Sequence, residues 1–172
     1  MRVQVKHSQT LLLLCAMLLG FVLRIWDLAG KSFWFDEVMY VVRILYVNDA
    51  SELFTLADSH PPLYFYFLRF WSALFGKSVF SLRCASAAAG VLSIGYLYRI
   101  GTLLVNEKAG LWSAFLLAVS PFHIFYSQDV GNYSFFMLLS LMWIYLILRI
   151  KMTSRIRVYV YFSLSLILLL LT

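Results

Sequence analysis

Apolar residues occur in long runs along the whole chain, separated by short polar stretches. The runs cover residues 10–26, 61–75, 80–105, 111–126, 135–150 and 158–171. Most approach the length of about 20 residues that a helix needs to cross a bilayer. The pattern therefore predicts an all-α integral membrane protein with about five or six transmembrane or re-entrant helices. The last run stops at Thr172 without a flanking charge, so we expect a chain cut within or just after a span.

The first run has two interpretations, because its purely aliphatic centre is short. Arg2 and Lys6 precede it, as they would precede either a cleaved signal peptide or a membrane anchor. Arg24, Ile25 and Trp26 follow it, where a cleavage site would need small residues. This favours an uncleaved anchor.

Composition narrows the class of protein further. The chain is 63% hydrophobic and 13% charged, whereas soluble domains are roughly half apolar and about a quarter charged. A soluble globular protein is therefore excluded. The net charge of +6 comes from bases that flank the apolar runs, and no nucleic-acid-binding motif accompanies them, so we expect no nucleic-acid partner. Cys15 and Cys84 both lie inside apolar runs, as buried thiols do.

The charges also predict a topology. Six of the eight acids fall in residues 27–60, which we expect to form an extracytoplasmic loop, with the N-terminus in the cytoplasm. The bases near the later runs are then also cytoplasmic, provided that run 61–75 does not cross fully; they are Arg99, Lys108, Arg149, Lys151, Arg155 and Arg157. That run is the shortest, opens with two prolines and contains Arg69. A re-entrant or interfacial segment is favoured, and a full crossing is the alternative.

Within the outer loop, the pattern predicts short helices at the membrane surface. Apolar residues recur at helical spacing directly after two acids, at Val38, Val41, Val42 and Leu45. Asp49 and Glu52 have the spacing of a capping box and predict a second short helix. Pro61 and Pro62 suit the first turn of the helix that follows.

The string 32–37 places Asp36 and Glu37 directly after an aromatic cluster, beyond the first span. Acids at a helix N-terminus stabilise the helix dipole, and the aromatics alone would form an interface belt. The functional interpretation is a general base beside the bilayer, where low dielectric raises a carboxyl pKa toward the working range. The residues alone leave both interpretations open.

Three further positions are candidates for chemistry. His60 precedes a helix start, where it is either structural or suited to bind a lipid phosphate. Arg83 interrupts run 80–105, as a functional ionisable group or as a base that reaches the interface. The polar break at 120–133 contains Gln128, Asp129 and Tyr133, which a simple connecting loop explains poorly.

Taken in order, four motifs resemble those of one family. They are Asp-Glu after the first span, His-Pro-Pro-Leu at 60–63, Ser-Leu-Arg at 81–83, and Ser-Pro-Phe-His at 120–123 with Tyr-Ser-Gln-acid at 126–129. Together they resemble the protein O-mannosyltransferase and aminoarabinose-transferase superfamily of GT-C type, whose members use polyprenyl-phosphate sugars. The resemblance extends from about residue 24 to residue 149.

The resemblance implies an inverting glycosyltransferase that acts on the extracytoplasmic side. Its donor would be a polyprenyl-phosphate sugar and its acceptor a hydroxyl of a glycan, lipid or protein, with no tightly bound cofactor or metal. Asp36 would be the catalytic base and Glu37 its supporting neighbour. Binding of the donor phosphate or substrate would involve His60, Arg83, Gln128, Asp129 and Tyr133. Residues 1–172 would form the N-terminal part of a multi-span enzyme in a bacterial or archaeal plasma membrane, and would be inactive alone.

One departure affects the assignment. Many relatives have an arginine where this chain has Gly131, which puts that base's role in doubt here. An inactive relative that acts as a membrane scaffold is therefore one alternative function. A transporter fragment is another, although its polar residues should line several spans rather than concentrate in loops.

Overall fold

The computed structural model describes residues 7–47, 62–152 and 156–172. Across these residues all regular secondary structure is helical, which confirms the predicted all-α class. The helices are α1 (His7–Ile25), α2 (Phe35–Tyr46), α3 (Leu63–Phe75), α4 (Val79–Leu104), α5 (Glu107–Val119), α6 (Pro121–Ser127), α7 (Tyr133–Met152) and α8 (Ile156–Leu170).

Three helices in the described part of the chain, α1, α4 and α7, are long and apolar enough to cross a membrane. Helices α5 and α6 qualify together but are bent by 60°, so the run predicted at 111–126 is not one straight helix. The break falls at Pro121, which has no N–H to donate to the carbonyl of Leu117. Helix α8 is a shorter apolar helix of 15 residues. The chain is thus a multi-pass membrane protein with three to four candidate spans in this part.

Helix α4 lies at the centre of the bundle and contacts α1, α3, α5, α6 and α7. Many of its buried positions carry small side chains: Ser81, Ala85, Ser86, Ala87, Ala89, Gly90 and Ser93. Small residues let helix backbones approach closely inside a membrane. At Gly101 an added Cβ would lie 2.9 Å from the Cα of Gly110, so α4 and α5 meet there almost backbone to backbone.

The bundle has two chemically distinct ends. At the loop end, Arg83 near the start of α4 donates a hydrogen bond to the carbonyl of Leu28, just after α1. At the opposite end, the start of α1 meets the ends of α4 and α7, which carry Arg99 and Arg149. We call this the basic end; Lys108 at the start of α5 also lies there.

Both ends of α3 lie at the loop end. The N–H of Leu63 donates to the carbonyl of Leu171 at the end of α8, and the indole of Trp71 donates to the carbonyl of Ser81 at the start of α4. Thirteen residues span only about 20 Å as a helix, less than the hydrocarbon core of about 30 Å. This geometry agrees with the prediction that run 61–75 does not fully cross.

Helix α2 packs against α3 through an aromatic and aliphatic cluster, which includes Tyr40, Ile44, Tyr64 and Phe65. The sequence predicted this helix but placed its apolar face one position too late. The buried residues are Glu37, Tyr40, Val41 and Ile44, whereas Val38 and Val42 of the predicted face are 39% and 44% exposed. The helix is rotated because Glu37 has a partner in the core. The second predicted loop helix, at Asp49 and Glu52, lies outside the described residues.

Candidate active site

Glu37 and Arg83 form a buried ion pair between α2 and α4. Their side chains are 2% and 3% exposed. The Nε of Arg83 donates to one carboxylate oxygen at 2.9 Å and an Nη donates to the other at 2.8 Å. Its other three N–H groups donate to the carbonyls of Leu28, Lys31 and Ser32. All five donors of Arg83 are therefore occupied by protein, and none remains for a substrate phosphate.

The same carboxylate also receives two backbone hydrogen bonds. The N–H of Trp34 donates to it at 3.0 Å and the N–H of Val130 at 2.7 Å. Burial raises the pKa of Glu37, but the hydrogen bonds from Arg83, Val130 and Trp34 outweigh it, and the pKa is lowered overall. Glu37 is therefore ionised, and together with Arg83 it joins four segments: the start of α2, residues 28–32, α4 and the loop at 128–132.

Asp36 lies on the other side of α2 and is exposed. Adjacent helical residues point about 100° apart, so Asp36 does not share the buried surroundings of Glu37. It opens into a cleft of about 360 Å³, called here the Asp36 cleft. The cleft is lined by Phe35, Asp36, Met39, Tyr40, Arg43, Phe65 and Tyr133. The structure thus brings Asp36 together with Tyr133, two of the residues predicted from sequence.

Sequence reasoning missed the two other polar members of the Asp36 cleft, Tyr40 and Arg43. The Arg43 guanidinium lies over the ring of Phe65, 5.3 Å from its centroid. Burial raises the pKa of Tyr40 to about 12, and its hydroxyl donates to the side chain of Asn132 at 3.3 Å. The signal was present in the sequence: with Asp36, these residues have i, i+4 and i+7 spacing, which places them on one helix face.

Gln128 lies away from the Asp36 cleft and stabilises the end of α1. Its side-chain amide donates to the carbonyls of Leu23, Arg24 and Trp26, at 3.0–3.4 Å. These carbonyls are in the last turn of α1 or just after it, where no later N–H group of the helix is available to donate to them.

Asp129 faces a recess of only about 20 Å³, which it shares with Asp27, Lys31 and the edge of Arg83. Burial, with the charge of Glu37 next, raises the pKa of Asp129, and Arg83 and Lys31 offset part of this rise. The predicted site is therefore divided, with Gln128 and Asp129 on the opposite side of the ion pair from Asp36. His60 lies outside the described residues.

Arg24 is a structural residue that the sequence analysis did not recognise. It is fully buried, and its five N–H groups are all used. They donate to the Ser127 hydroxyl, the His123 ring and the carbonyls of Gly20, Leu117 and Ala118. The last two carbonyls end α5, where Pro121 interrupts the helical ladder. Arg24 thereby stabilises the bend that leads into the loop at 128–132.

A family model described as dolichyl-phosphate-mannose-protein mannosyltransferase matches residues 59–171, about two thirds of the chain. The chain belongs to this family. The predicted superfamily is thus confirmed; its members are membrane glycosyltransferases of GT-C type that use lipid-linked sugar donors. Comparisons with curated proteins and with solved structures found no match.

The mannosyltransferase match begins after α2, so Asp36 and Glu37 precede it, while Arg83, Gln128, Asp129 and Tyr133 lie within it. Their individual roles stay predictions. In the described residues, no group of three or more His, Cys, Asp or Glu side chains could hold a metal ion.

Gly131, where the resembling family often has an arginine, is buried beside the Asp36 cleft. Its carbonyl accepts a hydrogen bond from Ser86 at 3.4 Å. A Cβ at this position would lie 3.3 Å from the ring of Tyr133. A side chain here would press on that ring, so glycine leaves Tyr133 free to occupy the wall of the cleft.

Proposed function

We propose that Asp36 is the general base of a sugar transfer from a polyprenyl-phosphate donor to an acceptor hydroxyl. The observation that carries this proposal is the division between two adjacent carboxylates. Glu37 is enclosed and fully hydrogen-bonded, whereas Asp36 is exposed at the mouth of the Asp36 cleft. Only Asp36 is accessible to a substrate.

The chemistry requires few groups. Asp36 accepts the proton of the acceptor hydroxyl, and the oxygen attacks the anomeric carbon of the sugar. The bond from that carbon to the phosphate oxygen breaks, and its electron pair leaves with the polyprenyl phosphate. A cation and a hydroxyl in the same cleft, Arg43 and Tyr133, stabilise the charge on the departing phosphate. The single displacement inverts the anomeric configuration.

Arg83 contributes to this reaction by position rather than by contact. With its five donors occupied, it holds Glu37 and therefore the orientation of α2, on which Asp36 and Arg43 lie. Gln128 and Asp129 act in the same indirect way, through the loop that leads to Tyr133. Support comes from their contacts with α1 and with the recess beside Arg83.

The proposed reaction takes place on the extracytoplasmic side. The basic end carries Arg99, Lys108 and Arg149, and bases of this kind favour the cytoplasm. The Asp36 cleft lies at the other end of the bundle, and the acceptor therefore arrives from outside.

Substitution of Asp36 by asparagine in the full-length protein tests this proposal. Asparagine keeps the shape of aspartate but cannot take the proton, so transfer from a polyprenyl-phosphate mannose should fall about 100- to 10,000-fold. Membrane abundance should stay unchanged. Asp27→Asn is the matched control, since it removes another exposed acid from the same segment. Near-normal turnover in Asp36→Asn would overturn the assignment of the base.

A further inference from the structure

A second cleft lies at the basic end, between the start of α1 and the ends of α4 and α7. Its volume is about 320 Å³. We call it the Arg99 cleft; it is lined by Thr10, Leu13, Tyr98, Arg99, Thr102, Leu103, Tyr145 and Arg149. Arg83 and Arg99 are 16 residues apart on α4, a rise of about 24 Å. The Arg99 cleft is therefore remote from the Asp36 cleft.

Two arginines face this cleft without an acidic partner. In the described part of the chain, Glu37–Arg83 is the sole ion pair, and the one acid at the basic end, Glu107, pairs with neither Arg99 nor Arg149. Arg99 lies 5.8 Å from the centroid of the Tyr145 ring. That contact covers a face of the guanidinium and leaves its N–H edges open. Two such cations repel each other unless an anion lies between them.

A buried hydroxyl in the same cleft also lacks a partner. Tyr98 is 6% exposed, and its hydroxyl forms no hydrogen bond within the described residues. Burial of an unpaired hydroxyl is unfavourable, so a ligand oxygen at this position would stabilise the cleft. The remaining wall is largely apolar, with Leu13 and Leu103 beside the polar groups.

We propose that the Arg99 cleft binds the phosphate of an anionic phospholipid. Arg99 and Arg149 bind the phosphate oxygens, the Tyr98 hydroxyl donates a hydrogen bond to one of them, and an acyl chain runs along Leu13 and Leu103. The apolar wall favours a lipid over free phosphate. Basic pockets between helices at the cytoplasmic face bind such headgroups. This binding is independent of the sugar transfer proposed for Asp36.

The test measures binding of phosphatidylglycerol to the purified protein in a neutral detergent, by native mass spectrometry. The double variant Arg99→Gln/Arg149→Gln should bind about 25-fold more weakly, about fivefold for each arginine. The pair Lys151→Gln/Arg157→Gln is the matched control. It removes the same charge from exposed positions near the same end that do not line the cleft. At high ionic strength its effect should be small, because salt screens exposed charges.

Two outcomes would overturn the proposal. Equal weakening by both double variants would mean diffuse attraction rather than a site. Displacement of the lipid by inorganic phosphate at an equal concentration would mean that the cleft binds a small anion. Tyr98→Phe keeps the buried ring and removes only the hydroxyl. It replaces the arginine double variant in the test if circular dichroism shows that the double variant does not fold. The affinity of Tyr98→Phe for phosphatidylglycerol should fall about fivefold, and an unchanged affinity would also contradict the proposal.

Discussion

The carboxylate of Glu37 receives two hydrogen bonds from the guanidinium of Arg83, at 2.9 and 2.8 Å, where both side chains are almost fully buried. The remaining donors of Arg83 bind backbone carbonyls that follow α1, and the remaining bonds to Glu37 come from backbone N–H groups. Burial of two charges is costly unless both are paired and saturated with hydrogen bonds. This pair meets that condition, and it orients the helix that presents Asp36.

Glu37→Gln should destabilise the protein at neutral pH by about 3–5 kcal/mol, the usual cost of leaving one buried charge unpaired. The pKa of Glu37 is lowered in the folded state. The contribution of Glu37 to folding stability is therefore fully present above the usual glutamate pKa of about 4.3 and is lost as the pH falls through the lowered pKa. Thermal unfolding in detergent at several pH values should show that the difference in melting temperature between variant and parent becomes smaller in acid.

The exposed acid Asp27, changed to asparagine, is the control for that series, and its effect on stability should be small. A gap between Glu37→Gln and the parent that is negligible at neutral pH would contradict a stabilising ion pair. A large gap that does not change in acid would contradict the pKa argument alone.

Asp129→Asn should stabilise the protein at neutral pH. Burial and the nearby charge of Glu37 raise the pKa of Asp129, so its ionised form opposes folding. That cost is present above the raised pKa and absent below the pKa that Asp129 has in the unfolded chain. The stability gained by Asp129→Asn should therefore disappear as the pH is lowered. The melting temperature against pH is the measurement. Asp36→Asn is the exposed control, and a loss of stability in Asp129→Asn at pH 7 would contradict the reasoning.

Gly90→Ala should destabilise the protein, whereas Gly95→Ala on the same helix should not. A Cβ at Gly90 would overlap the hydroxyl of Ser127 and lie 3.0 Å from the Nε of Arg24. A Cβ at Gly95 meets only Met17, at ordinary contact distances of 3.7 and 3.8 Å. Both changes improve helix propensity alike, so the comparison isolates crowding at Arg24, which typically costs about 1–3 kcal/mol.

Unfolding in one detergent, with both glycine variants measured side by side, provides the comparison. Equal stability of the two variants would mean that Arg24 and Ser127 move apart without cost. In that case the bend between α5 and α6 would not depend on Arg24.

Cysteine labelling should place the loop between α3 and α4 on the same side of the membrane as the segment after α1. In a background without Cys15 and Cys84, Ala29→Cys and Lys77→Cys should both react with an impermeant reagent in intact cells. Lys151→Cys should react only after the membrane is opened. All three positions are exposed. Protection of Lys77→Cys, with Lys151→Cys reactive in intact cells, would show that α3 crosses the bilayer.

Much of the fold could be predicted because apolar runs and helix breakers act locally. The run at 80–105 became α4 (Val79–Leu104), and the run at 135–150 became α7 (Tyr133–Met152), each within two residues at either end. The bend at 119–121 was not predicted, although Pro121 marked it. Its direction depends on Arg24, which approaches from α1 and binds the carbonyls of Leu117 and Ala118.

The sequence by itself determined that the chain is a helical membrane protein, that its acids gather beyond the first span, and that Asp36 and Glu37 are the first candidates for chemistry. Their residue types could not distinguish those two neighbours, since both are carboxylates at one helix start, and the family resemblance alone assigned the base to Asp36. The tertiary structure separates the two physically. Arg83, which lies 46 positions beyond Glu37, faces the side of α2 that carries Glu37, and Asp36, which points about 100° away on the helix, stays exposed. Burial and partnership are properties of distant segments brought together, and for that reason no local pattern contained them.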